Sequence, residues 1–350
     1  MRITYVTEST ELWGGIYVVF QHLELLSKIG HDAFLTTTGS KPDWHPLKVP
    51  VCHVPCLDSD SIPSADIIVA TYWSTVRPVV ESGKGIPVHL CQGYEGDFKE
   101  LQSQKSDIDR AYSYNVPKLT VSQHLDGFLR NRFNAETHYI GQAIDKDVFY
   151  PAQVQQNEIT NRPFSILVVG PFQADFKNIA AALTGIKLVK KRLKAAVRLI
   201  RVSQFPLSDE ERKIVEPDVY HLHVPHQEMG EIYREADLFV SMSKEAEGFG
   251  LPAVEAMACG VPTILSRISS YEGFDETADY SLFVEGLDPE SLAQAIVMMF
   301  KNRALRKKIA HRGQIVSDKF SEENLIDRLN GCFKSILRRH KPRGIQKARL

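Results

Sequence analysis

The chain has 350 residues, of which 43% are hydrophobic and 24% charged, with 42 Lys+Arg set against 43 Asp+Glu. That length holds two ordinary α/β domains, and the apolar fraction excludes disorder on a large scale. A formal net charge of -1 gives no global electrostatic case for a nucleic-acid binder.

In chain order, Met1-Arg-Ile-Thr-Tyr-Val-Thr reads as a first strand, centred on Ile3 to Thr7, and runs straight into polar Glu8-Ser-Thr-Glu. This start lacks the pattern of a secretion signal, and no apolar run approaches the roughly 20 residues of a spanning helix. The expectation is a cytoplasmic protein. Trp13-Gly14-Gly15 then opens a helix reaching Lys28. Strands follow at His31 to Thr37, Ala65 to Thr71, Val88 to Cys91 and Lys118 to Ser122. Alternation of this kind predicts a parallel sheet covered on both faces.

The polar stretch from Pro151 to Pro163 breaks the series and reads as a domain boundary. Beyond it come the strand Ser165 to Gly170, a helix from about Asn178 with Ile179, Leu183, Ile186 and Leu193 on one face, and the strand Ala196 to Val202. Further strands are predicted at Val219 to Val224, Leu238 to Met242 and Thr263 to Ser266, and a last helix from roughly Glu322 to Arg339. The division is therefore 1–155 for the first domain, 156–320 for the second, 321–340 for a helix packing back toward the first, and 341–350 for a basic tail.

The most informative stretch lies in the second half. Asp237-Leu-Phe-Val-Ser-Met-Ser has strand character, Gly248-Phe249-Gly250 is a turn, and Leu251-Pro252 begins a helix that Gly260-Val-Pro ends. Free amides near Gly250 and Leu251, with the positive end of the helix dipole behind them, favour a phosphate. Glu247 and Glu255 flank this point. Eight residues on an unbroken helix span about 12 Å of rise and roughly 80° of rotation, too far for a close acid/base pair. They suit a long ligand, and a nucleotide sugar has hexose hydroxyls, diphosphate and ribose hydroxyls in that order. A bare pair of glutamates at this spacing is more often two solvated side chains, and it is the Gly-Phe-Gly-Leu-Pro setting that favours a site.

Glu247-Gly-Phe-Gly-Leu-Pro-Ala-Val-Glu255-Ala-Met-Ala-Cys-Gly-Val-Pro resembles the signature of the retaining glycosyltransferases of family four, also described as group 1. Three other features agree in order along nearly the whole chain: the Gly14-Gly15 turn, the segment Ile144 to Pro151, and the Gly170 turn followed by a lysine. The resemblance implies an α/β protein of GT-B fold, with two Rossmann-like domains facing across a cleft. It implies a nucleoside-diphosphate sugar as donor substrate, with no cofactor or metal, and a glycan or lipid-linked acceptor. The implied activity is retaining hexosyl-type transfer to a hydroxyl, in polysaccharide or glycoconjugate synthesis.

Carried onto this sequence, the resemblance makes Glu247 and Lys177 the catalytic residues, Glu247 orienting the sugar and Lys177 meeting the diphosphate. Gly14, Gly15, Gly170, Gly248, Phe249, Gly250, Leu251 and Glu255 become donor-binding, with Glu255 on the ribose. The family more often has an arginine directly after the glycine, where this chain has Pro171. Arg201 and Lys244 are the candidates for the second phosphate-binding cation. On the acceptor side, Gln92-Gly-Tyr94-Glu95 stands where many relatives carry a histidine, and resembles a subset including rhamnosyl and other polysaccharide-building enzymes. No catalytic histidine is assigned, and His89 reads as packed. Two alternatives stay open: a nucleotide-sugar epimerase of the same fold, and a non-catalytic sugar-nucleotide-binding subunit of a polymer-assembly complex. The Gly-Gly turn is not the Gly-x-Gly-x-x-Gly of dinucleotide enzymes, which argues against hydride transfer.

Other patterns carry less. Five scattered cysteines suit reduced thiols, and Cys52 with Cys56 lacks the second pair a zinc site needs. Asp58-Ser-Asp60 and Asp107-Ile-Asp109 follow no clear strand, so no metal is assigned. His221 and His223 alternate as if on one strand face, and His226 on the following turn is placed for base contacts. Lys187 to Arg201 and Lys334 to Arg349 each hold seven Lys/Arg and no acid. Such runs are usually solvated, but they also give an expectation of peripheral attachment at the inner face of a membrane, at about 1 kcal/mol per cation near an anionic surface.

Overall fold

The computed structural model describes residues 1–152, 162–193 and 196–340. The boundary expected at 155 and the basic tail expected at 341–350 lie outside the described residues. Seven strands form the first sheet: β1 (Arg2–Thr7), β2 (Asp32–Thr37), β3 (Val51–His53), β4 (Ile67–Ala70), β5 (Ile86–Cys91), β6 (Lys118–Thr120) and β7 (Thr137–Tyr139). Six form the second: β8 (Phe164–Val169), β9 (Val197–Ser203), β10 (Val219–Leu222), β11 (Leu238–Ser241), β12 (Thr263–Ser266) and β13 (Leu282–Val284). All pairings are parallel, in the orders β3-β2-β1-β4-β5-β6-β7 and β10-β9-β8-β11-β12-β13.

The central strands are buried along their length rather than alternating, with Ile3, Tyr5 and Val6 of β1 and Ile166 and Leu167 of β8 fully covered. A parallel sheet with helices on both faces demands this, and it is why β8 reads as a nearly continuous apolar run and the threonines of β1 are buried with its apolar residues. In each sheet the order reverses between its first and fourth strands, β1 beside β4 and β8 beside β11. Connections at such a reversal leave in opposite directions and open a crevice at the carboxyl ends of the strands. The Gly14 turn follows β1, the Gly170 turn follows β8, and the Ser243 to Gly250 turn follows β11, so topology alone gathers these three.

One cluster of buried side chains runs through both domains, including Phe149, Phe249 and Phe320. The helix Glu322–His340 crosses onto the first domain, where Glu322 accepts from Gln21, Asn330 pairs with His31 at 3.0 Å, and Arg339 reaches Glu136 at 2.7 Å. The basic run in the second domain is not a bare cationic surface. Lys190 meets Asp218, Arg192 meets Glu290 at 2.6 Å, and Arg198 meets Glu235 at 3.5 Å, because the fold brings acids from other elements. No helix among the described residues is long and apolar enough to cross a membrane.

Candidate functional site

After β11 the chain turns through Ser243 to Gly250 and enters the helix Leu251–Ala258 with Pro252 in its first turn. The Lys244 amide donates to the Phe176 carbonyl at 2.8 Å, tying this turn to the one after β8. Gly250 sits at φ 93, and a Cβ there would lie 2.2 Å from the Tyr271 ring, so both conformation and space require glycine. Among the described residues the amides of Gly250 and Leu251 find no protein acceptor. They leave a helix start open to an anion. Phe249 corrects the expectation of a donor-binding side chain. Its ring is buried against Phe274 and Phe320, each 5.2 Å away between centroids, and only its backbone faces the turn.

Glu247 is 6% exposed, and its Oε2 accepts from Lys177 Nζ at 2.7 Å and from Ser243 Oγ at 2.9 Å. Ser243 is itself held by Tyr271, whose hydroxyl lies 3.1 Å from its Oγ. Lys177 ends a short 3₁₀ turn, and its stem passes 3.6 Å from where a Cβ of Gly170 would stand. Gly170, at φ 126, gives the chain the left-handed exit from β8 that this turn needs. Lys244 pairs with Asp175 at 2.7 Å at the rim.

Arg201 is not a ligand-facing cation. It is fully buried, its Nε donates to Glu211 at 2.7 Å, and its two terminal nitrogens donate to the carbonyls of Val168, Val202 and Gly170. Four of the five N–H groups of this fully buried guanidinium are spent on Glu211 and the strand-end carbonyls, so it clamps the Gly170 turn rather than facing a phosphate.

Glu255, on the helix that Gly250 begins, accepts from the Tyr233 hydroxyl at 2.7 Å. Burial pushes its carboxyl up to about 7, only partly offset by that hydrogen bond and by Lys177. Nearby, Tyr17 of the first domain stacks on His226 of the second at 3.8 Å. This corrects the expectation of an open turn at His226. The residue begins the helix His226–Glu235, its ring is covered by Tyr17 and Phe149, and burial lowers it to about 4. His221 and His223 do not share a strand face either: β10 ends at Leu222, and His223 leaves it at φ 57 with its ring on the Gln204 carbonyl.

The first domain supplies the opposite wall. Gln92 Nε2 donates to the Gly15 carbonyl at 2.9 Å, which joins the Gly-Gly turn to the end of β5. Gly14, at the start of the helix Gly14–Lys28, has open space around its missing side chain. Across the cleft, a Cβ on Gly248 would fall 1.8 Å from the Gln92 carbonyl oxygen, so the two domains meet through a position where no side chain fits. Tyr94 borders the cleft but is 4% exposed, its hydroxyl donating to Asp109 and its ring covered by Lys105 and Arg132. Glu95 is corrected from an acceptor contact. It turns inward, is 7% exposed, accepts from the Tyr112 hydroxyl at 2.6 Å, and is pushed up to about 7 by burial. His89 is fully buried, with neither ring nitrogen partnered and burial holding it down near 3.

Sequence reasoning missed the polar and aromatic cleft residues Asp97, His124, Phe128 and Glu245. His124 carried a usable signal, since it stands two residues past the Ser122 cap at the carboxyl end of β6. Among the described residues no cluster of three or more His, Cys, Asp and Glu could hold a metal. Asp58 accepts from the amides of its own turn, and Asp109 pairs with Arg132 at 3.2 Å.

Residues 163–302 match the family model described as glycosyl transferases group 1. That match falls within the second domain. Curated relatives align with about a third of the chain. D-inositol 3-phosphate glycosyltransferase of Corynebacterium urealyticum is 30% identical over 112 residues, 32% of this chain and 26% of that protein. O-antigen chain mannosyltransferase B of Escherichia coli is 30% identical over 112 residues, 32% of this chain and 29% of that protein. The chain thus spans a little over a quarter of the length of these relatives. Among solved structures, sucrose-phosphate synthase from Thermosynechococcus elongatus superposes with TM-score 0.79 at 17% identity over 96% of this chain and 99% of its own. Anabaena HepE in complex with UDP-glucose does so with TM-score 0.79 at 14% identity over 95% and 99%. The fold is GT-B. The second domain contributes Lys177, Glu247, Gly250 and Glu255 to one face of the cleft, and the first domain contributes Gly15 and Gln92 to the other.

Proposed function

We propose that the protein is a retaining glycosyltransferase that moves a hexosyl-type sugar from a nucleoside-diphosphate sugar to a hydroxyl of a glycan or other acceptor, without a metal ion, in polysaccharide or glycoconjugate synthesis. The observation that carries this reading is the convergence of Lys177, Glu247 and the unpaired amides of Gly250 and Leu251 at the carboxyl ends of β8 and β11. The complex of HepE with UDP-glucose supports a donor of this class.

As the bond from sugar to diphosphate breaks, negative charge grows on the leaving oxygens. Lys177 and the two amides stand ready to stabilise it in a site that closure makes dry. Glu247 Oε2 is bound to Lys177 and Ser243, so Oε1 is left to take a sugar hydroxyl and to favour positive charge on the reacting carbon. Glu255 accepts from ribose. Attack comes from the face the diphosphate leaves, with no covalent enzyme intermediate. Arg201 serves this site at one remove by fixing the Gly170 carbonyl. Lys244 at the rim is the remaining candidate for a second phosphate cation, on exchange of Asp175 for phosphate.

Replacing Glu247 or Lys177 by Ala is expected to remove most transfer activity in a folded protein, and activity within about threefold of wild type would cancel these roles. Conversion of the donor alone to an epimerised nucleotide sugar would favour the epimerase reading. Peripheral attachment to anionic lipid is proposed for the basic C-terminal end only, since acids neutralise most of the other run. Failure to float with anionic vesicles at low salt would remove it.

A further inference from the structure

We propose that Phe98 and Glu100 of the first domain are positioning residues for Lys177, holding from across the domain boundary the turn that presents this lysine to a nucleoside diphosphate. This rests on the transferase reading above and deepens it, since it makes donor affinity depend on side chains that do not touch the donor.

Lys177 ends the short 3₁₀ turn Asp175–Lys177. So short a turn closes too few hydrogen bonds to hold itself, and its order comes from what surrounds it. The second domain gives part of that support: the Lys244 amide donates to the Phe176 carbonyl at 2.8 Å, and Lys244 Nζ reaches the Asp175 carboxylate at 2.7 Å. Two further groups of the turn face the first domain. The Asp175 amide, which the start of a helical turn leaves without an internal acceptor, donates to Glu100 Oε1 at 2.9 Å. The Phe176 ring stacks on Phe98, with centroids 4.8 Å apart and planes 14° from parallel. Lys177 Nζ lies 5.3 Å from the centre of that same Phe176 ring and 2.7 Å from Glu247, so the ring that Phe98 fixes also flanks the cation.

The first-domain side is built as a template. The Phe98 amide donates to the Glu95 carbonyl at 3.0 Å, and Gln102 Nε2 donates to the carbonyls of Gly96 and Phe98, each at 3.0 Å. Lys105 Nζ adds a bond to the Gly96 carbonyl at 2.6 Å. The Phe98 ring packs beside Gly93, 3.5 Å from where a Cβ would stand, and so is tied to the end of β5 that carries Gln92. When the domains part, the Asp175 amide loses its acceptor and the Phe176 ring its cover, and Lys177 is released on one side. Charge alone makes the opposite demand on Glu100. A carboxylate beside this turn repels a diphosphate, so a purely electrostatic role predicts tighter nucleotide binding on its removal, whereas positioning predicts weaker binding.

Calorimetric titration of the full chain with UDP, GDP, TDP and ADP tests this. The nucleotide that binds wild type most tightly is then compared in Phe98→Ala, Glu100→Ala and Glu100→Gln, each alone and combined with Lys177→Met. Phe98→Ala is expected to weaken binding about fivefold, the scale of one aromatic pair. Glu100→Ala is expected to weaken it about threefold, and Glu100→Gln, which keeps an oxygen for the Asp175 amide, to bind like wild type. Glu100 is exposed, so its variants do not threaten folding. In the Lys177→Met background both alanine changes are expected to leave affinity unaltered, because the group they position is gone. Tighter or unchanged binding in either alanine variant, or equal losses with and without Lys177, would overturn the proposal. Weakening by Lys177→Met with both alanine variants unaffected refutes the positioning alone, whereas no effect of Lys177→Met refutes the donor reading and the positioning with it.

Discussion

Glu255, on the helix that Gly250 begins, and Glu95, turned inward behind the first-domain wall, should both make the protein less stable as the pH rises. Burial lifts Glu255 and Glu95 from the ordinary 4.5 to about 7. For each, the folded state holds its proton more tightly than the unfolded chain does. The resulting stability is fully present below about pH 4.5 and is lost as pH rises through about 7. A rise of that size corresponds to about 3 kcal/mol per group, an order-of-magnitude figure. Glu255→Gln keeps an oxygen to accept the Tyr233 hydroxyl and removes the titration. The variant should therefore match wild type in urea denaturation at pH 5 and exceed it by about 3 kcal/mol at pH 8. The same comparison holds for Glu95→Gln, whose partner is Tyr112. Taking variant against wild type cancels the other titrating groups. The stabilised Glu255→Gln protein should also bind a nucleoside diphosphate about tenfold more weakly, having exchanged a charged acceptor for a neutral one. A stability difference that is the same at both pH values would refute the reasoning.

Gly248→Ala places a Cβ 1.8 Å from the Gln92 carbonyl, so it should hold the domains apart, enlarge the radius of gyration in X-ray scattering and abolish transfer while nucleotide binding to the second domain survives. Unchanged activity would mean that this contact is not part of the working state. Arg201→Ala strips Glu211 of its partner inside the second domain and should cost about 3–5 kcal/mol in denaturation, with no direct change in nucleotide affinity in the folded fraction. A specific loss of nucleotide binding at wild-type stability would restore Arg201 as a phosphate ligand. Gly250→Ala meets both the φ of 93 and the Tyr271 ring and should lower the thermal midpoint by several degrees.

The sequence made the central strands legible because both faces of each are buried, so β4 and β8 are nearly continuous apolar runs, while β1 and β2 mix apolar residues with buried threonines. β3, β7 and β13 went unread since three residues carry little periodicity, and β6, equally short, was legible only as part of the longer run Lys118 to Ser122. Glu247, Glu255, Gly250 and Lys177 were visible for a different reason: each is fixed by a strand end, a glycine turn or a helix start that local chemistry dictates. Arg201 misled because its position at a strand end says nothing of Glu211, which reaches it only once the helix Asp209–Ile214 folds over. Phe249 and Glu95 failed similarly. In a tight turn the direction of a side chain is set by what packs behind it, here Phe320 for one and Tyr112 for the other. His124 and Phe128 belong to a helix whose exposed turn meets the second domain, a contact between distant segments that no local pattern encodes.

The central claim is that Lys177 and the helix start at Gly250 hold the diphosphate of a sugar nucleotide. Calorimetric titration of wild type and Lys177→Met with UDP, GDP, TDP and ADP tests it most directly. The account predicts that at least one of these binds wild type and that Lys177→Met weakens it about tenfold or more, as loss of a charged phosphate contact requires. Binding of none of the four, or equal affinity in the two proteins, would contradict it.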